Sequence, residues 1–116
     1  MLFRSIATVG LTRAVADAAG LGGDSFRLPL GANARARIDG EVTGHAEVVV
    51  DAAGTVIGIH LVGPHVSELA GEAALAIEMA ATLDDLTSVI HPHPTVSEAM
   101  LEAALGAAGQ IGRAHV

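Results

Sequence analysis

His45-Ala46-Glu47-Val48-Val49-Val50-Asp51-Ala52-Ala53-Gly54-Thr55-Val56-Ile57-Gly58-Ile59-His60-Leu61-Val62 reads as two β-branched runs on either side of a polar turn. Valine and isoleucine fit a pleated, half-buried surface, and Asp, Gly and Thr supply turn chemistry between them. The spacing predicts a β-hairpin with strands over 45–50 and 56–62, and hence an antiparallel sheet.

After the hairpin, apolar residues at 66, 69, 70, 73, 74, 77, 80 and 81 recur at helical spacing, which predicts a helix over 66–81. Thr82-Leu83-Asp84-Asp85 has the form of a capping box opening a short helix to about residue 90, and Thr95 is expected to open a last helix to about 107. Before the hairpin, 6–10 reads as a strand, 11–19 as a helix capped by Thr12 and closed by Gly20, and 25–30 as another strand. Residues 31–44 show no clear period and read as loop or weak strand.

At 116 residues and 51% hydrophobic, the chain forms one domain with a real core, aliphatic because Phe3 and Phe26 are its only aromatic residues. A net charge of -7, with six arginines and no lysine, argues against nucleic acid as a partner. Without cysteine there is no disulfide, no thiol nucleophile and no thiolate metal cluster. Residues 1–18 imitate a signal peptide, but Arg13 and Asp17 interrupt the apolar stretch too early. No apolar run reaches the ~20 residues that cross a bilayer, so no membrane association is expected and the expected compartment is the cytoplasm. The spacing of neither GxGxxG nor GxxxxGK[ST] is present, so the chain alone is expected to bind neither FAD nor NAD.

The chemistry is concentrated in His91-Pro92-His93-Pro94-Thr95-Val96-Ser97-Glu98. Each proline disfavours the α conformation in the residue before it, so both imidazoles are presented on extended, stiff backbone. Histidine is the commonest general base near neutral pH, and a neighbouring carboxylate fixes its tautomer. Two structural readings compete. Thr95-x-x-Glu98 fits a capping box that only starts a helix. His91 and His93 also offer two ligands to a metal, with Glu98 or His65 as a third, although no third ligand stands at a diagnostic spacing.

Leu75 and Met79 lie beside Glu68 and Glu72, and Leu101 and Leu105 flank Glu98 and Glu102. Apolar residues repeated at i, i+4 on outer helix faces point to a partner subunit, or else to a wider intramolecular contact.

Three stretches resemble the C-terminal interface domain of the pyridine-nucleotide disulfide oxidoreductases, most of all that of the dihydrolipoyl (lipoamide) dehydrogenases. They are Ile6-Ala7-Thr8-Val9-Gly10-Leu11-Thr12, Ile57-Gly58-Ile59-His60-Leu61-Val62-Gly63-Pro64-His65 with the helix after it, and Ile90 to Glu98, which is similar to an H-x-H-P-T-x-S-E signature. The match spans about residues 6–105, within a domain taken as 1–110. It implies an α+β fold, an antiparallel sheet with helices packed on one side. It also implies a homodimer in which His93 is the base, Glu98 is its partner, and the backbone at His91 and Pro94 lies near the flavin of the other subunit. FAD and NAD serve the complete enzyme, and the substrate is dihydrolipoamide carried on an acyltransferase or carrier protein. No metal is implied. The resemblance further implies a cis His93–Pro94 bond, which the tertiary amide before proline allows at about 0.5–1 kcal/mol.

Two departures stand out: Leu2-Phe3-Arg4-Ser5 replaces the usual Thr-x-Pro-Glu, and Ala34 replaces a glycine after Asn33. Residues 111–116 have no counterpart in the family and are expected to be a non-native tail. The competing reading of the whole chain is a free-standing, non-catalytic dimerisation or binding module that keeps the motif as structure.

Overall fold

The computed structural model describes residues 5–21, 23–40 and 42–114. The hairpin forms as the sequence predicts, with β3 (His45–Val50) antiparallel to β4 (Val56–Gly63). Asp51 makes the turn, its Oδ1 accepting the Ala53 and Thr55 amides at 2.9 Å each. A register shift between Val49 and Val50 leaves Ile57 without an opposite number in β3, and its carbonyl accepts the Leu11 amide at 2.8 Å.

Two further strands flank this pair. β1 (Ser5–Gly10) joins β4 and β2 (Asp24–Pro29) joins β3, giving an antiparallel sheet in the order β1-β4-β3-β2. Alternation turns Ala7, Ala46, Val48, Ile59 and Leu61 into the core. Over this face lie α3 (Ala70–Glu78), against β1 and β4, and α5 (Glu98–Ala114), against β2 and β3. The fold is therefore α+β, with its two longest helices on one face of an antiparallel sheet.

α5 buries a stripe of Ala99, Met100, Ala103, Ala104 and Ala107 at helical spacing. These small side chains bring the helix close to the sheet. At Gly106 an added Cβ would lie only 2.3 Å from the ring of Phe26 on β2, so the aromatic ring fills the space a side chain would need.

The structure corrects the sequence reading in several places. The described residues of 31–44 are neither loop throughout nor strand: they contain α2 (Ala34–Asp39), capped by Asn33 and closed by Gly40 in the left-handed region at φ 74°. The helix expected over 66–81 opens as a 3₁₀ turn, Val66–Leu69, and α3 ends at Glu78. At its end Ala80 adopts φ 52°, with Ala80 N–H donating to Ile77 O and Ala81 N–H to Ala76 O, the bonding pattern of a Schellman cap. α1 (Arg13–Ala18), capped by Thr12, is shorter than 11–19. α4 (Leu83–Ser88) carries the expected two-way capping box, Asp85 N–H to Thr82 Oγ1 at 3.1 Å and Thr82 N–H to Asp85 Oδ2 at 2.9 Å. α5 begins at Glu98 and not at Thr95, and continues past 107 to Ala114, into the segment read as a tail. His115 and Val116 of that tail, and Leu2, Phe3 and Arg4 of the N-terminal departure, lie outside the described residues. Among the described residues no helix is long and apolar enough to cross a membrane.

Candidate active site

Between α4 and α5 the chain carries two prolines and both histidines of the motif. The His93–Pro94 peptide bond is cis, as the resemblance implies. Glu98, the first residue of α5, reaches back over this turn, and its Oε1 lies 2.8 Å from His93 Nδ1. The same oxygen accepts the Thr95 N–H at 3.1 Å. Glu98 thus serves the turn and the imidazole at once.

Only half of a capping box is present at this helix start. Thr95 Oγ1 does not cap α5; it donates to Pro92 O at 2.7 Å and lies 2.9 Å from Ser97 Oγ. The capping reading therefore holds for Glu98 and fails for Thr95.

Desolvation, the largest single influence on Glu98, pushes its carboxyl upward. The Thr95 N–H, the His93 hydrogen bond and the attraction of the His93 and His91 rings together outweigh it and hold the carboxyl below its ordinary range. An ionised carboxylate only accepts hydrogen bonds, so Nδ1 of His93 is the donor and the lone pair of the neutral ring sits on Nε2. The His93 side chain is 69% exposed, and Nε2 has no hydrogen-bond partner among the described residues. That nitrogen can take a proton from a group arriving from outside the chain.

His91 is placed differently. Its side chain is 4% exposed, with Nε2 2.6 Å from Glu72 Oε2 and Nδ1 3.2 Å from the Val89 carbonyl. Both neighbours are acceptors, so the ring satisfies both as a donor only in its protonated form. The two histidines therefore engage separate carboxylates. His65, the other suggested ligand, is exposed in a left-handed turn at φ 63°, and among the described residues no three His, Asp or Glu side chains converge as metal ligands.

Glu72 and Asn33 are site residues that the sequence reading missed. Asn33 is fully buried and donates from Nδ2 to Thr95 O at 3.0 Å and to Glu102 Oε1 at 2.9 Å. Burial pushes the Glu102 carboxyl up and repulsion from Glu98 adds to this, while the Asn33 hydrogen bond and the His93 ring oppose it. The nearest signal in the sequence was Asn33 as a helix cap; nothing local pointed to Glu72.

Beside the turn, α3, α4 and the segment leading to His91 enclose an apolar groove of about 430 Å³, lined by Leu75, Met79, Leu86, Val89 and Ile90, with Glu72 and His91 at its polar end. Leu75, Met79, Ile90 and Leu105 are exposed, whereas Leu101 is half-buried in the chain itself.

Comparison with known proteins gives this site its context. Residues 3–104 match the family model for the pyridine nucleotide-disulphide oxidoreductase dimerisation domain. The chain is 47% identical over 106 residues to a dihydrolipoyl dehydrogenase of Haloferax volcanii, covering 90% of this chain and 22% of that protein. It is 49% identical over 105 residues to one of Halobacterium salinarum, with the same 90% and 22% coverage. Among solved structures, that of LpdA from Mycobacterium tuberculosis superposes with a TM-score of 0.80 at 32% identity, over 87% of this chain and 22% of that one. The chain spans about a fifth of the length of these relatives, and over that span it belongs to the pyridine nucleotide-disulphide oxidoreductase dimerisation domain family.

Proposed function

We propose that this chain is the C-terminal part of a dihydrolipoyl dehydrogenase, where it supplies the dimer interface and the general base for oxidation of dihydrolipoamide. The observation that carries this reading is the His93–Glu98 pair at 2.8 Å, which leaves Nε2 as the basic atom of an exposed ring. A dihydrolipoyl thiol is a poor nucleophile until it loses its proton. His93 Nε2 takes that proton, and the resulting imidazolium keeps its Nδ1–H on Glu98, whose negative charge stabilises it. The thiolate left behind attacks one sulfur of a redox disulfide supplied by another part of the enzyme, breaking its S–S bond and releasing the other sulfur as a thiolate. The second dihydrolipoyl sulfur then displaces the first enzyme sulfur from the mixed disulfide, which leaves oxidised lipoamide and a reduced enzyme dithiol. FAD and NAD, when bound, carry the electron pair onward.

The chain offers no glycine-rich turn for a pyrophosphate, so both cofactors belong to parts of the enzyme outside it. The His91 ring is already held by Glu72 and Val89, which leaves the backbone of the His91–Pro94 turn as the part suited to approach a flavin of the partner subunit. The exposed apolar groove supports the homodimer that brings the two together.

In the complete enzyme, His93→Gln is expected to lower dihydrolipoamide turnover by on the order of 10²–10⁴-fold, the usual worth of a positioned base. His91→Gln is expected to cost less. Equal losses from the two substitutions would overturn the assignment of the base to His93.

A further inference from the structure

We propose that Asn33 is a positioning residue for the His93–Glu98 pair, acting through Thr95. The proposal rests on the reading of that pair as the base and extends it to a residue in a distant element. Capping of α2 explains only half of the Asn33 side chain: its Oδ1 accepts the Ala36 N–H at 2.9 Å, and Ser, Thr or Asp supplies such an oxygen equally well. The amide nitrogen is what those residues lack. Its two donors go to the Thr95 carbonyl at 3.0 Å and to the Glu102 carboxylate at 2.9 Å.

Thr95 is consequently pinned from both sides, its C=O by Asn33 and its N–H by Glu98 Oε1. The oxygen that receives this N–H is the one that receives His93 Nδ1. A shift of Thr95 therefore alters the acceptor on which the His93 tautomer depends. Glu102 lies one turn beyond Glu98 on α5, so the second Asn33 donor fixes that helix against the same turn. Asn33 has no exposed surface, and the hydrogen bonds of its side chain end on α2, on α5 and on the turn between His93 and Glu98.

Asn33→Asp in the full chain separates the two roles, because it keeps the capping oxygen and removes both donors. The readout is the ratio of Nδ1–H to Nε2–H tautomers of His93, from ¹⁵N imidazole NMR at a pH where the ring is neutral. That ratio is expected to fall about fivefold, the worth of one net hydrogen bond, while the signals of His91, held by Glu72, stay in place. Should the new carboxyl beside Glu102 prevent folding, Asn33→Ser serves the same test, since its hydroxyl still caps α2 but is too short to reach Thr95. A folded variant with the native His93 ratio would overturn the proposal, as would failure of both variants to fold, which would make Asn33 a structural residue only. The base assignment fails separately: a shifted ratio, with His93→Gln retaining full turnover in the complete enzyme, leaves the positioning intact and removes the catalytic role.

Discussion

Glu98 Oε1 accepts from a backbone amide and an imidazole together, and each bond is worth more while the carboxyl is ionised. Its folded pKa is depressed, so its contribution to folding is present above the unfolded value, about 4.3, and is lost as pH falls through the folded one. The urea midpoints of the native chain and of Glu98→Gln are therefore expected to differ most near neutrality and to converge in acid. A gap that stays constant down to about pH 2 would show that the charge contributes nothing. His93 and Glu98 were legible as candidates because they are five residues apart on stiff backbone, within reach of local reasoning, while the choice of His93 over His91 came from the family resemblance. Glu72 stands 19 residues from His91, and Asn33 stands 62 and 69 residues from Thr95 and Glu102. Contacts of that range are set by how the sheet brings helices together, which no local spacing encodes.

Among the elements, α2 shows why short helices escape periodicity. Six residues make fewer than two turns, too few for a repeat to emerge, although Asn33 and Gly40 are the cap residues such a helix needs. The hairpin and the α4 capping box were legible because each is specified by its own residues. The end of α3 was not, since a left-handed cap is usually glycine and here it is Ala80 at φ 52°. Alanine pays a steric penalty in that conformation that glycine avoids, partly offset by the greater freedom glycine has when unfolded. Ala80→Gly is accordingly expected to stabilise the chain by up to about 1 kcal/mol, read as a higher urea midpoint with an unchanged slope. A lower midpoint would mean that the Ala80 methyl makes contacts that outweigh its backbone strain.

At the level of the whole molecule, the apolar groove and its rim give the surface its most distinctive feature. Ile90 is 95% exposed, Met79 70% and Leu75 62%, grouped on one side of the chain and not scattered singly. Self-association through this face is expected, and Leu75→Glu with Ile90→Asp is expected to abolish it. Sedimentation over a range of concentrations checks this; a dimer unaffected by both charges would place the contact elsewhere. The sheet order carries a different consequence, for the route by which the chain folds. β3 and β4 meet across a tight turn, so their pairing closes only a small loop, but β1 must find β4 across everything that lies between them in sequence. Closing the longer loop costs more entropy and is repaid only once β4 is in place, so docking of β1 is expected to be a late event and the step on which topology sets the folding rate.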